Sequence, residues 1–141
     1  MDHIVYLDTK AKELEQLTTG TKTMIIRGAM GRKLPYGKVF ANDVLYFIEN
    51  KGNGLVKAKA IVAEVFTSDK LTREESVQLV EKNQEKLLLN ENMFKRFAGK
   101  RYLTLITVKD VQHLNPFKIN RSAYSNMDDW LPVEKIDTVR R

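Results

Sequence analysis

The stretch GTKTMIIRGAMGRKLPYGKVFAND, residues 20–43, sets the reading of this 141-residue chain. Thr23 to Arg27 reads as a strand in which alternation puts Met24 and Ile26 on one face and Thr23, Ile25 and Arg27 on the other. If the first face is core, Arg27 looks into whatever space lies opposite. Gly28 to Gly37 is too rich in glycine, with Pro35, to continue the ladder, and reads as a long connection. Between Glu15 and Asp43 there is no acidic residue, yet Lys22, Arg27, Arg32, Lys33 and Lys38 fall there, with four of the seven glycines. A positive field on backbone free of Cβ bulk attracts phosphate or carboxylate and lets it approach closely.

Outward from this stretch the pattern is mixed. His3 to Leu7 reads as a short strand, and Asp8 or Thr9 as the cap of a helix carrying Ala11, Leu14 and Leu17 that Gly20 stops. Asn42-Asp43 turns into a strand at Val44 to Ile48. Lys51 to Gly54 makes a hairpin, and Leu55 to Phe66 leaves it as a long strand. There Val56, Ala58, Ala60 and Val62 share a face, and the opposite face changes from Lys57 and Lys59 to Ile61, Ala63 and Val65. That change calls for burial on both sides or a bulge, as barrels need. Thr72 and Glu75 have capping-box spacing ahead of a stripe of Val77, Val80, Gln84, Leu87 and Leu88. A second helix, Glu91 to Phe97, ends at Gly99, and Tyr102 to Val108 is a strand. From Lys109 to Arg141 periodicity fades and Asn115-Pro116 breaks it, so residues 109–141 are expected as an irregular segment packed on the rest, with an edge strand near Phe117 to Ile119. Sequential strands with helices inserted between them imply one α+β domain over residues 1–141, built as a small mixed β-barrel.

Composition bounds the function. Hydrophobic residues at 43% and charged residues at 30% describe a globular chain, and no apolar run approaches a bilayer-spanning length. The start lacks the basic-then-apolar pattern of a secretion signal. The absence of cysteine removes disulfides, thiol catalysis and thiolate metal sites, and suits a reducing cytoplasm. A net charge of +6 favours an anionic partner, nucleic acid first. His3 and His113 lack metal spacing, so no metal or other cofactor is expected.

Gly20, Lys22 and Arg27 occupy three of the four positions of G-x-K-x-x-E-x-R, and the chain thereby resembles ASCH domains, small barrels of the PUA-like superfamily that also includes EVE and PUA. The resemblance extends to the preceding helix, the Asn42-Asp43 turn before VLYF, the alanine-containing strand AKAIVAEVF and the helical insertion before Tyr102. It covers roughly residues 3–108. Ile25 stands where the family has glutamate, and a hydrocarbon can neither accept a hydrogen bond nor move a proton. The resemblance implies RNA binding or recognition of a modified base, with Lys22 and Arg27 as the grip.

On that reading Lys22, Arg27, Arg32 and Lys33 surround a basic cleft, and Tyr36 or Trp130 stacks a base. Gly28-Ala29-Met30-Gly31 also fits the G-x-x-G backbone clamp of KH domains, in the wrong surroundings. The alternative implied by the resemblance is an amidohydrolase acting on acylated cytidine, with Lys22 and either Glu91 or Glu64 as acid and base; the Ile25 substitution weighs toward binding rather than catalysis. Asp128 and Asp129 read as a helix start or solvated loop. A third class is a protein-interaction module, monomeric or weakly dimeric through an edge strand or the stripe Leu87 to Leu89.

Overall fold

The computed structural model describes residues 1–124 and 128–141; the C-terminal segment expected over residues 109–141 lies partly outside the described residues. The elements run β1 (Asp2–Leu7), α1 (Glu13–Thr18), β2 (Met24–Ala29), β3 (Val44–Glu49), β4 (Leu55–Thr67), α2 (Arg73–Lys82), α3 (Gln84–Leu87), α4 (Glu91–Phe97), β5 (Tyr102–Lys118), β6 (Trp130–Glu134) and a 3-10 turn at Ile136–Thr138. The six strands form a single sheet in the order β2-β5-β4-β3-β1-β6. β1 and β3 are parallel, and every other pair is antiparallel.

Both faces of the sheet are covered, which explains why β2 is apolar on both. Ile25, Val5, Leu45, Ala60, Ile106 and Trp130 share one cluster. Ile25 and Trp130 come from the two edge strands, so a sheet that brings them together has curled into a half-barrel with this cluster inside. Outside it, Met24, Ile26, Leu103 and Leu105 pack under α2, α3 and α4, while Ile4, Ile48, Leu131 and Val133 pack under the C-terminal turn. The alternation expected for β2 therefore holds, with Ile25 and Arg27 pointing inward.

Local signals formed as read. Glu75 N–H donates to Thr72 Oγ1 at 3.1 Å and Thr72 N–H to Glu75 Oε1 at 2.9 Å, completing the capping box of α2. Gly20 follows α1 with φ +81°, a left-handed position at which a side chain would be strained. α1 itself starts a turn later than expected. Asp8 Oδ1 accepts from Ala11 N–H at 2.8 Å and closes a turn instead of a helix.

The expected irregularity from Lys109 is corrected, because β5 continues to Lys118. The β4–β5 pairing shifts register at three places. At one of them Ala58 pairs with His113 and Val56 with Phe117, so Leu114, Asn115 and Pro116 bulge opposite Lys57. A proline without an N–H is tolerated in such a bulge, so Asn115-Pro116 bends the strand without ending it. A shift against β3, where Phe47 pairs with Ala58 but Ile48 with Val56, carries Val56 out of the inner cluster that holds Ala58, Ala60 and Val62. The C-terminal edge strand is β6, paired with β1, where Pro132 does no harm. Among the described residues no helix is long and apolar enough to cross a membrane.

Candidate functional site

Arg27 is 6% exposed and reaches across the mouth of the half-barrel. Its Nη1 donates to the Ile26 carbonyl and its Nη2 to the Tyr6 carbonyl, each at 2.8 Å. The guanidinium carbon lies 5.7 Å from the centroid of the Trp130 ring, a cation–π contact. These contacts fix the planar fork. Its buried Nε has no hydrogen-bond partner and lies 3.4 Å from Asp129 Oδ2.

A cleft of about 290 Å³ opens in front of this group. Arg27 and Gly28 of β2 line it together with Lys33 and Leu34 of the connection and Asn50 after β3. Arg96 and Phe97 from the end of α4, with Asp128 and Asp129 ahead of β6, complete the wall. A smaller recess of about 20 Å³, room for roughly one water, continues from it against Tyr6, Asp8 and Glu13. The charge of the cleft is mixed where a basic one was expected. Lys33 Nζ is 3.4 Å from Asp128, and Asp129 lies between Arg27 Nε and Arg96 Nη2, the latter at 3.8 Å.

Lys22 is 1% exposed and stands behind this wall. Its ammonium donates to the Leu87 carbonyl and lies 3.5 Å from Oε2 of Glu13, itself 2% exposed. That separation makes an ion pair without a well-formed hydrogen bond, since Glu13 Oε2 has no hydrogen-bond partner while Oε1 accepts from Asp8 N–H at 2.9 Å. Burial pulls the Lys22 pKa below the ordinary lysine value against the opposing pull of Glu13, and the charge of Arg27 adds to the lowering. Lys22 and Arg27 thus feel one another, but only Arg27 faces the cleft.

The other expected site residues divide. Lys33 lines the cleft, whereas Arg32 stacks over Tyr36 and Tyr102 at 5.9 and 5.5 Å to the ring centroids and is not in its lining. Tyr36 donates to the Ser68 carbonyl at 2.5 Å and packs edge-on against Tyr102. The stacking role expected of Trp130 is corrected: its ring is 0% exposed, with Arg27 over it and Nε1 donating to His3. Glu91 is exposed at the start of α4, where it pairs with Lys95, and neither it nor Glu64 lines the cleft. The G-x-x-G reading fails because Gly28 lies inside β2, where an added Cβ would sit 2.5 Å from Leu103 Cδ2. Leu87 and Leu89 are core residues, so the expected dimer stripe is covered. Among the described residues no three His, Asp or Glu side chains cluster to hold a metal ion.

Sequence reasoning missed Glu13 and Arg96 and read Asp128 and Asp129 as a helix start or solvated loop in preference to a ligand pair. Glu13 had a signal: it lies four residues before buried Leu17, on the same stripe of α1. Arg96 and the two aspartates reach the cleft by tertiary packing, for which the sequence holds no local sign.

The curled six-stranded sheet with helices over its outer face is the fold seen in solved ASCH structures. Among solved structures the chain is similar to ASCH from Zymomonas mobilis, at 16% identity and a TM-score of 0.69 over 97% of this chain and 90% of that one. It is likewise similar to a tyrosine-to-phenylalanine variant of that protein, at 14% identity and a TM-score of 0.71 over 97% and 93% of the two chains. At such identity the likeness is one of fold. No family model and no curated protein matches the sequence.

Proposed function

We propose that this chain binds single-stranded RNA or a nucleotide in the Arg27 cleft, as a monomer or weak dimer in the cytoplasm. The observation that carries the reading is the buried Arg27 fork, held by two carbonyls in the wall of an open, charged cleft, with its Nε paired only to Asp129 and without a hydrogen bond. An immobilised guanidinium loses little freedom when it grips an oxyanion or a base edge. Arg96 and Lys33, both well exposed, supply mobile cations at the rim. The Arg32, Tyr36 and Tyr102 stack lies next to Ala29 in the sheet and offers a surface for an adjoining base. A titration of short single-stranded RNA across a salt series tests this. Affinity is expected to fall steeply with salt, and Arg96→Ala and Lys33→Ala each to reduce the slope by about one. Binding indifferent to salt and to both substitutions would end the reading.

A second reading is favoured by one observation, the buried Lys22 whose pKa burial lowers, next to Glu13. A lysine poised nearer neutrality suits a proton-transfer or nucleophilic role in hydrolysis of an acylated cytidine, with Glu13 in the place first given to Glu91. Incubation with acylated cytidines should then release the acid, and Lys22→Met should stop it; no acid from the unaltered chain would dispose of this reading.

A further inference from the structure

We infer that Asp128 and Asp129 determine the specificity of the cleft by acting as built-in anions, so that only a ligand carrying two adjacent phosphates displaces them. The inference rests on the anionic ligand proposed for the same cleft. Each cation of the cleft already faces a carboxylate, Lys33 that of Asp128, and Arg27 with Arg96 that of Asp129. The contacts, at 3.4, 3.4 and 3.8 Å, are longer than the roughly 2.7–2.9 Å of a charge-assisted hydrogen bond. They therefore hold loosely.

A second observation points to a ligand. Arg27 Nε is buried without a hydrogen-bond partner although a carboxylate is beside it, which leaves a strong donor unsatisfied at the cleft wall. A phosphate oxygen at hydrogen-bond distance would satisfy it where Asp129 does not. The main chain of Asp129 is anchored, its carbonyl accepting from Tyr6 N–H at 2.9 Å, so rotation of the side chain alone vacates the place. The side chains of Asp128 and Asp129 are 24% and 35% exposed, and an outward turn meets water. One phosphate replaces one carboxylate and leaves the second opposing it by like charge. Two linked phosphates, whether in a diphosphate or along a strand, replace both.

The test is calorimetric titration of the full chain with inorganic phosphate, pyrophosphate and a five-nucleotide single-stranded RNA. It compares the unaltered chain, the double variant Asp128→Asn and Asp129→Asn, and Glu81→Gln, which removes one charge on exposed α2 outside the cleft. Circular dichroism confirms that each variant is folded. The expected result is that the unaltered chain takes pyrophosphate and RNA but not phosphate. The double variant takes all three, RNA about tenfold more tightly, and Glu81→Gln behaves as the unaltered chain. RNA bound no more tightly by the double variant than by Glu81→Gln overturns the inference and leaves the RNA reading standing. Pyrophosphate taken by the unaltered chain and inorganic phosphate only by the double variant, with no RNA binding by any form, supports the inference and removes the RNA reading. No binding of any probe by any form overturns both.

Discussion

Indole Nε1–H can only donate, and Trp130 gives it to His3 Nδ1 at 3.0 Å, so that nitrogen carries no proton. His3 Nε2–H therefore donates to Asp43 Oδ2 at 2.8 Å, and the buried imidazole is neutral with both nitrogens engaged. Burial lowers the His3 pKa and outweighs the raising effect of Asp43. Burial raises that of Asp43, but its bonds with His3, the Phe40 N–H and the terminal ammonium outweigh this and hold it below the usual carboxylate range. Because the folded-state pKa of His3 is lowered, the unfolded chain binds more protons below about pH 6.5. The stabilisation is fully present above that pH and is lost as pH falls toward the folded-state value, with Asp43 adding a loss of the same sign in stronger acid. Urea unfolding is expected to show stability level from pH 8 to 7 and declining from about pH 6.5 to 5, and His3→Gln to flatten that decline. Equal midpoints at pH 7 and pH 5 would refute the assignment. Nothing in the sequence joins His3 to Trp130, since only strand pairing of β1 with β6 brings residues 127 positions apart together.

Between elements, the charge pair of Glu13 and Lys22 fastens α1 to the start of β2 and, through Leu87, to the end of α3. Removing one member of a buried pair strands the other, whereas removing both in favour of apolar groups is often neutral or stabilising. Glu13→Gln is therefore expected to cost ~3 kcal/mol, and Glu13→Leu with Lys22→Met to stay within about 1 kcal/mol of the unaltered chain or exceed it, in denaturant unfolding. A double substitution costing more than Glu13→Gln would show that the pair itself carries the packing. The caps and stops of these elements were legible in sequence because their bonds are local: Thr72 and Glu75, Gly20 and Gly99 act within a few residues. β5 was not, because Asn115-Pro116 breaks a regular ladder and only the opposing Lys57 reveals that the ladder bulges around it. Asp8 misled for a related reason, since an aspartate closes an isolated turn with the same bond that caps a helix.

At the scale of the molecule, the clustering of cations in residues 20–43 was a fair guide to where the mouth lies and a poor one to what lines it. Arg27 and Lys33 are there, but Lys22 sits behind Glu13, Arg32 stacks on tyrosines, and the remaining charges arrive from α4 and from the approach to β6. The curl of the sheet explains both outcomes. β2 and β6 are its opposite edges, and Arg27 joins them: its Nη2 holds β1 at Tyr6, its plane covers Trp130 of β6, and its Nε meets Asp129. Arg27 therefore closes the half-barrel as well as facing the cleft, and stability and binding should separate by residue. Arg27→Lys keeps the charge but loses the planar fork, so it is expected to lose the Tyr6 and Ile26 bonds, lower stability by ~3 kcal/mol and shift Trp130 fluorescence to the red as water reaches the ring. Arg96→Ala, exposed at the rim, is expected to leave stability within about 0.5 kcal/mol and the fluorescence unchanged while weakening RNA binding. Should Arg27→Lys unfold at the same denaturant concentration as the unaltered chain, the two edges are held together by something other than this side chain, and Arg27 belongs to the cleft alone.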